Sequence, residues 1–495
     1  MSPTVPLRAY PAIAAAALAC AACVPQTELE VPPTLSSTHW SQPAAAPAAA
    51  ATAGAEPGFA GEAMPADLGA AFHSTELSAL IARASAANTN VTIATARIRQ
   101  ARALLRVARG TMLPVVSGSA GVSATPVHRV PDGAFDFSNA FAGLDISFDL
   151  DLFGAHRAER DAARNRVRAA EFDRDAAMLV VQSEVARAYV QRATLATRIA
   201  LLQRNVAEAT ELERIIRARF SAGDATRVDL GLQTIQVRQL QTEEQRLDQA
   251  LDQTRTALAV LVGEEAPRFA LAPAQLESLT PPAIAPVQPG ELLVRRPDLR
   301  AAEARIDAAG GDVRQARAAF FPRLSLSASG LSQAASFAGP LASTLTIGAN
   351  LLGPIFDRAR LRGNLEFSAA SQAESVELYR QVLLTSLAEV ENALSAVNRS
   401  SARETLLIEV VSEAQLTARL ARLQYIGGEA DLQRVLDAEQ RLTEAEDARA
   451  VALQERLEAA IDLFKALGGT AAGAPARALA ASTTSSERIA PLARH

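Results

Sequence analysis

Lysine is almost missing from this chain of 495 residues. Lys465 is the only one, so nearly all positive charge is arginine. Basic and acidic residues are interspersed and the net charge is only -5, which leaves no basic stripe of the kind nucleic acid requires. Aromatic residues make up 4%, too few for an enzyme core built around large rings. The 49% apolar fraction is dominated instead by alanine and leucine, the makeup of long helices packed through small residues. Five histidines (His39, His73, His128, His156 and His495) are scattered without the paired spacing of a metal site. No phosphate loop, nucleophile elbow or dinucleotide motif appears. The expectation is a protein that is not an enzyme and needs no cofactor or metal.

Cysteine is nearly absent too. Cys20 and Cys23 both lie at the end of the apolar run AIAAAALACAACV, which is shorter than the roughly 20 residues needed to cross a bilayer. The run reads as the core of a secretion signal over residues 1–22, with Arg8 as its one preceding charge. A cysteine there points to lipoprotein processing, in which the thiol takes a diacylglycerol and becomes the mature N-terminus. Leu18 lies two residues before Cys20 and five before Cys23, where a lipobox has it three before, so both remain candidates. A signal without lipidation is the plainer alternative. With both thiols in the signal, the folded body has no disulfide framework.

Residues 34–66 are rich in Ala, Pro, Ser and Gly, so 23–66 reads as an anchored segment and flexible linker, and 469–495 as a disordered tail. Between them a Pro-rich linker, 265–290, separates two blocks, 67–264 and 291–468, that echo each other. ARI at Ala96–Ile98 recurs at Ala304–Ile306, and at the same offset ARGTMLP ending at Pro114 recurs as ARAAFFP ending at Pro322. DLDLFGAHRAERDAA is echoed by GPIFDRARLRGNLEFSAA, and FSAGDA at Phe220 by YIGGEA at Tyr425. Each block therefore runs helix, strand, strand, very long helix, turn, helix.

Four strands are expected, at about 114–125, 140–152, 323–333 and 343–355. In the second, Leu144, Ile146, Phe148, Leu150 and Leu152 alternate with Asp145, Ser147, Asp149 and Asp151. One face must meet water and the other something apolar. A soluble sandwich would need more strands than four. The long helices are stranger: from about Ala155 to Arg219 there is neither proline nor glycine, giving a rod on the order of 100 Å at about 1.5 Å per residue. Arg358 to Gln424 matches it, interrupted by Gly363 alone. Leu195, Ile199, Leu202 and Val206 form its apolar stripe, and Gly223 and Gly428 mark the turns. Pro114 and Pro322 mark the seams where helix gives way to strand, since proline cannot continue a helix and biases its predecessor towards extended backbone.

Strands of this length suit an outer-membrane barrel, which closes only from about eight strands upward, so the chain must oligomerise. Two copies would give eight strands and a filled interior; three would give twelve and an aqueous lumen. The competing reading is a periplasmic coiled-coil adaptor or scaffold, although that architecture carries one hairpin flanked by β-rich modules.

The stretch LLVRRPDLRAAEARIDAAGGDVRQARAAFFPRLSLSASG, with ANTNVTIATARIRQARALL, IFDRARLRGNLEFSAASQ, SLAEVENAL, VLDAEQRLTEAEDARA and LFKALGG, resembles TolC-like outer-membrane efflux proteins. Within these it is most similar to the NodT-type lipoprotein branch, over about residues 67–468. The resemblance implies α-helical and membrane β structure in a homotrimer. A twelve-stranded outer-membrane barrel would continue into a long periplasmic helical barrel, a duct joined through a periplasmic adaptor to an inner-membrane pump and seated in outer-membrane lipid. It favours Cys23 over Cys20 as the acylated residue, because VPQTELEVPP resembles the start of mature lipoproteins of that branch. One departure is LGAAFHSTEL, where the family usually carries a tryptophan and this chain has Phe72. Arg295, Arg296, Pro297 and Asp298 form an inter-repeat motif where a helix starts, with Asp298 near free N–H groups. At the two turns Asp224, Glu429 and Asp431 would put a ring of carboxylates around the axis of a trimer, with Arg227 and Arg434 as links between neighbouring tips. In the family these tips constrict the resting channel and meet the adaptor.

Overall fold

The computed structural model describes residues 40–41, 68–129, 133–272, 276–282, 288–334 and 340–469. The signal, both cysteines, nearly all of the linker 23–66 and the tail lie outside them. The described residues fall into two compact units, and each draws on both sequence repeats.

The first unit comprises Thr95–Phe172 and Arg300–Val382. It holds β1 (Val115–Arg129), β2 (Gly133–Leu150), β3 (Arg323–Ala334) and β4 (Leu341–Leu352), which pair in the order β1-β2-β3-β4, antiparallel throughout. The register keeps the two faces apart across all four strands. Val116, Ile146, Ala328 and Ile347 stand in one row, and Ser117, Asp145, Ser329 and Thr346 in the next. Ile347 is 78% exposed, so the apolar face is bare in the single chain.

Three strand boundaries differ from the expected 114–125, 140–152 and 343–355. The β1–β2 ladder continues through Pro126 to Arg129, because β1 is an edge strand, where proline costs no interior hydrogen bond. The second strand consequently starts at Gly133 rather than 140. It ends at Leu150, since Leu152 N donates to the Leu150 carbonyl and bends the chain. The fourth stops at Leu352 before Gly353 and Pro354.

Helices feed this sheet: the end of α3 (Thr89–Gly110), the start of α4 (Ala155–Ala222), α7 (Pro297–Ala318) and the start of α8 (Arg358–Ile426). They pack through small side chains. Ala163 and Val167 of α4 meet Leu105 and Ala108 of α3. A Cβ on Gly311 of α7 would lie 2.7 Å from Ala162 Cβ and 3.0 Å from Ala162 Cα, so glycine alone permits that approach.

The second unit takes residues up to Ala94, Asp173–Leu299 and from Leu383 onward. It contains α1 (Leu68–Ala71), α2 (Thr75–Ala87), most of α4, α5 (Arg227–Val262), α6 (Pro289–Arg295), the second part of α8 and α9 (Leu432–Ala466). α4 and α8 run 68 and 69 residues without interruption. α6 and α7 are separate helices because Pro297 cannot extend α6 and opens α7, at the motif where a helix start is expected. Leu195, Ile199 and Leu202 of α4 pack on Val237, Leu240 and Leu247 of α5. Phe72, 0% exposed, joins Leu77 and Leu80 of α2, Val185 and Tyr189 of α4, and Ile461 and Phe464 of α9. Phenylalanine thus seats the entry segment in this core. Among the described residues no helix is long and apolar enough to cross a membrane, and no His, Cys, Asp and Glu cluster could hold a metal.

Gly311→Leu should cost roughly 1 to 3 kcal/mol by overpacking the α4–α7 contact. Thermal unfolding followed by circular dichroism checks this. Gly363→Ala on α8, where an added Cβ meets nothing within 4 Å, should be neutral or slightly stabilising.

Candidate functional site

The helix-to-strand seams are built twice in the same way. Met112 N and Leu113 N donate to the carbonyls of Arg109 and Gly110, at 3.2 and 3.0 Å. Phe320 N and Phe321 N donate to those of Arg317 and Ala318, at 3.2 and 3.1 Å. Each helix tightens into a last i, i+3 turn, and Pro114 or Pro322 then stops it one residue before the strand. Pro322 packs on Gly353, and Phe321 stacks on Phe153 with ring centroids 4.6 Å apart.

The return seams differ from each other. Asp151 leaves the polar row of β2 and turns onto α4, where it accepts from His156 N at 3.2 Å and Arg157 N at 2.9 Å, with Arg157 Nε also at 3.2 Å. It therefore caps a helix while still lining the mouth beside Asp149. In the other repeat Asp357 pairs with Arg360, and Phe356 is 98% exposed where its echo Phe153 is stacked. On the polar face of the sheet a mouth of about 950 Å³ opens, lined by Asp149, Arg323, His156, Glu159, Asp312 and Phe367 among others.

The inter-repeat motif is tied into the second unit. Arg296 has a side chain only 9% exposed; its guanidinium reaches Asp298 at 2.7 Å, Glu389 at 2.8 Å and the carbonyl of Ala466, at the end of α9, at 2.9 Å. Burial by itself would lower its pKa, but the hydrogen bonds and charges of Asp298 and Glu389 raise it, so it stays a fixed cation. Asp298 also accepts from Leu299 N, Pro297 opens α7, and Arg295 pairs with Glu291 at 3.3 Å.

At the turns, Gly223 and Gly428 take the left-handed conformation, with φ of +89° and +77°. Asp224 N and Glu429 N close the two helix ends on the carbonyls of Arg219 and Gln424, both at 2.8 Å. The carboxylates of Asp224 and Glu429 are exposed. Asp431 is engaged as the N-cap of α9, accepting from Arg434 N at 3.0 Å. Thr226 holds the equivalent place before α5 in a capping box with Asp229, which the sequence reading missed although T-x-x-D is visible there. The guanidinium groups of Arg227 and Arg434 make no ion pair among the described residues of one chain. Arg219 lies over the Tyr425 ring at 4.9 Å, and Leu212 and Ile216 pack on Ala421, Leu432 and Val435, which joins the two turns.

These paired hairpins, the duplicated seams and the two-faced sheet agree with the comparisons. The description "Outer membrane efflux protein" matches residues 80–264 and 289–469. The chain belongs to the outer membrane efflux protein family. It is 33% identical to the pyoverdine export outer membrane protein OpmQ of Pseudomonas aeruginosa over 81% of this chain and 86% of that one. With the outer membrane protein OprJ of the same species it shares 32% identity, over 75% and 79%. Among solved structures it resembles the outer-membrane channel OprN with a TM-score of 0.79 at 26% identity, covering 90% of this chain and 99% of that one. This chain is accordingly an outer-membrane efflux channel of the TolC-like class.

Glu439 of α9 sits beside the Glu208–Arg422 pair, which spans 3.4 Å. Burial above all, and Glu208, raise its pKa against the opposing pull of Arg422. The folded state therefore holds the proton more tightly than the unfolded state, so the contribution of Glu439 is full below the usual value of 4.5 and is lost as pH rises through the folded value. Glu439→Gln should slow hydrogen exchange of residues 432–443 at pH 7 and leave it unchanged at pH 4. Asp431→Ala should speed exchange there, consistent with loss of a cap worth about 1 kcal/mol.

Proposed function

We propose that three copies form a duct whose twelve-stranded barrel continues into helices on the periplasmic side. Small molecules handed over by an inner-membrane pump through a periplasmic adaptor would pass along it without energy input from this chain. The four-stranded sheet with two free edges carries the reading. β1 and β4 each leave one row of backbone N–H and C=O groups unpaired, and inside a bilayer such rows must be satisfied. Because the strands alternate in direction, β4 of one copy meets β1 of the next antiparallel, like every other pair. Eight strands would fill with side chains, whereas twelve leave room for water along the Asp145 and Asp149 face.

Asp224 and Glu429, free of cap duty, are the residues for a carboxylate ring: six of them surround the axis in a trimer, and Arg227 and Arg434 are positioned to link neighbouring copies. Cys23, with Cys20 as alternative, would carry the lipid, anchoring an assembly that the barrel already holds in the membrane.

Detergent-purified protein should have the mass of three chains by light scattering, and a stable monomer with full β signal would sink the trimer. Leu326→Arg should impair assembly, by about 2 to 4 kcal/mol near the midplane, and Ser327→Arg much less. Equal damage on both faces would reverse the facing assignment. In planar bilayers Asp224→Ala with Glu429→Ala should reduce cation preference, and an unchanged preference rejects the ring. Mass spectrometry of the mature N-terminus should find an acylated cysteine followed by Val24.

A further inference from the structure

We infer that a basic cavity in the first unit binds the phosphate of an anionic phospholipid headgroup in the periplasmic leaflet. The cavity, of about 820 Å³, lies between α4, α7 and α8. Arg164 and Arg168, one turn apart on α4, and Arg314 and Arg317 on α7 line it. Gly310 leaves its floor open: a Cβ there would stand 3.3 Å from Gln372 Nε2 and 3.7 Å from Arg314 Nη1. Two carboxylates share the lining, and one of them, Asp161, is already held by Arg160 at 2.7 Å. Neighbouring arginines are matched within the chain, Arg166 by Asp312 and Arg360 by Asp357. Arg164, Arg168 and Arg314 make no ion pair among the described residues, so the cavity keeps an excess of positive charge. Arginine is well suited to phosphate, since its planar fork donates two parallel hydrogen bonds.

Position selects the source of that phosphate. Arg317 lies in the last turn of α7, which runs through Pro322 into β3. Arg164 stands about 14 Å along α4 from its start after β2, with a long side chain that leans back towards the strands, and Arg168, at about 20 Å, forms the deep end of the cavity away from the headgroup layer. The interfacial layer below the hydrocarbon is roughly 5 to 8 Å deep on each side. The side is equally informative. Asp312, Gln315, Ala316, Ala318 and Ala319 of α7 line the mouth on the polar face of the sheet, whereas Gly310, Val313, Arg314 and Arg317 line the basic cavity. At about 3.6 residues per turn the two sets, Ala318 apart, occupy opposite sides of α7. The cavity is thus on the side of the apolar rows, where acyl chains would lie against Leu324 and Leu326 with the headgroup beneath them. This rests on the facing assignment proposed above.

The test uses the full-length protein, reconstituted in vesicles of equal phosphatidylglycerol and phosphatidylcholine, re-extracted in mild detergent and scored for retained lipid by native mass spectrometry. Trimer mass and bilayer conductance are read on the same samples. Phosphatidylglycerol should be retained about tenfold over phosphatidylcholine, and each of Arg164→Gln and Arg314→Gln should weaken that retention about fivefold. Arg164→Lys should keep most of it. Gly310→Leu, which fills the cavity without altering charge, should lower retention while mass and conductance stay unchanged. Conducting trimers that retain the two lipids alike overturn the inference and leave the duct intact. Complete displacement of phosphatidylglycerol by soluble glycerol phosphate would assign the site to a free phosphate ester and overturn the lipid. Wild-type protein that neither forms trimers nor conducts would sink the duct reading, and this inference with it.

Discussion

A backbone amide has no partner in hydrocarbon except another backbone, and the sheet of this outer-membrane chain has only four strands. Two rows of donors and acceptors are therefore left over at the edges of the sheet. Much else about the molecule answers that shortage. The strands meander so that first and last run in opposite directions, and their register gathers most apolar residues in one set of rows and most polar residues in the other, with Phe141 and Leu331 among the exceptions on the polar side. A one-residue slip of β2 would turn Asp145 and Asp149 onto the apolar face.

Joining such strands to long helices demands abrupt changes of backbone, and the chain makes them with a small set of devices. Entering the sheet, a tightened last turn followed by proline serves twice, at the same offset in both repeats. Leaving it, the two repeats have diverged: one uses Asp151 as a cap with a stacked phenylalanine, the other an Asp357–Arg360 pair beside a bare Phe356. Duplication preserved the geometry of entry and allowed the exits to differ, as would follow if the exits meet different surroundings in the assembly.

Much of this was legible in the sequence because it is periodic or repeated. The 3.6-residue stripes, the two-residue alternation of β2 and the paired Pro114 and Pro322 depend on local pattern, and local pattern is what sequence displays. Boundaries were less legible: Pro126 reads as a stop unless the strand is known to lie at an edge. The capping role of Asp431 was not legible because an acidic residue after glycine looks the same whether or not it caps the next helix; the structure leaves it exposed and also gives it the Arg434 N–H. Gly311 and the cavity beside Gly310 were hidden for a different reason. They depend on which helices become neighbours, and α4 and α7 are far apart in the chain.

The core around Phe72 joins the first helices to the last, with Phe464 and Ile461 of α9 closing over α1 and α2. Arg296 fastens the middle of the chain to the same end, at the carbonyl of Ala466. Contact order in this unit is accordingly high: α1 and α2 bury apolar surface against α4 and α5, and the cluster is completed only by α9. That closure makes the unit a length check: a product truncated before α9 leaves bare the side of the Phe72 cluster that Ile461 and Phe464 cover.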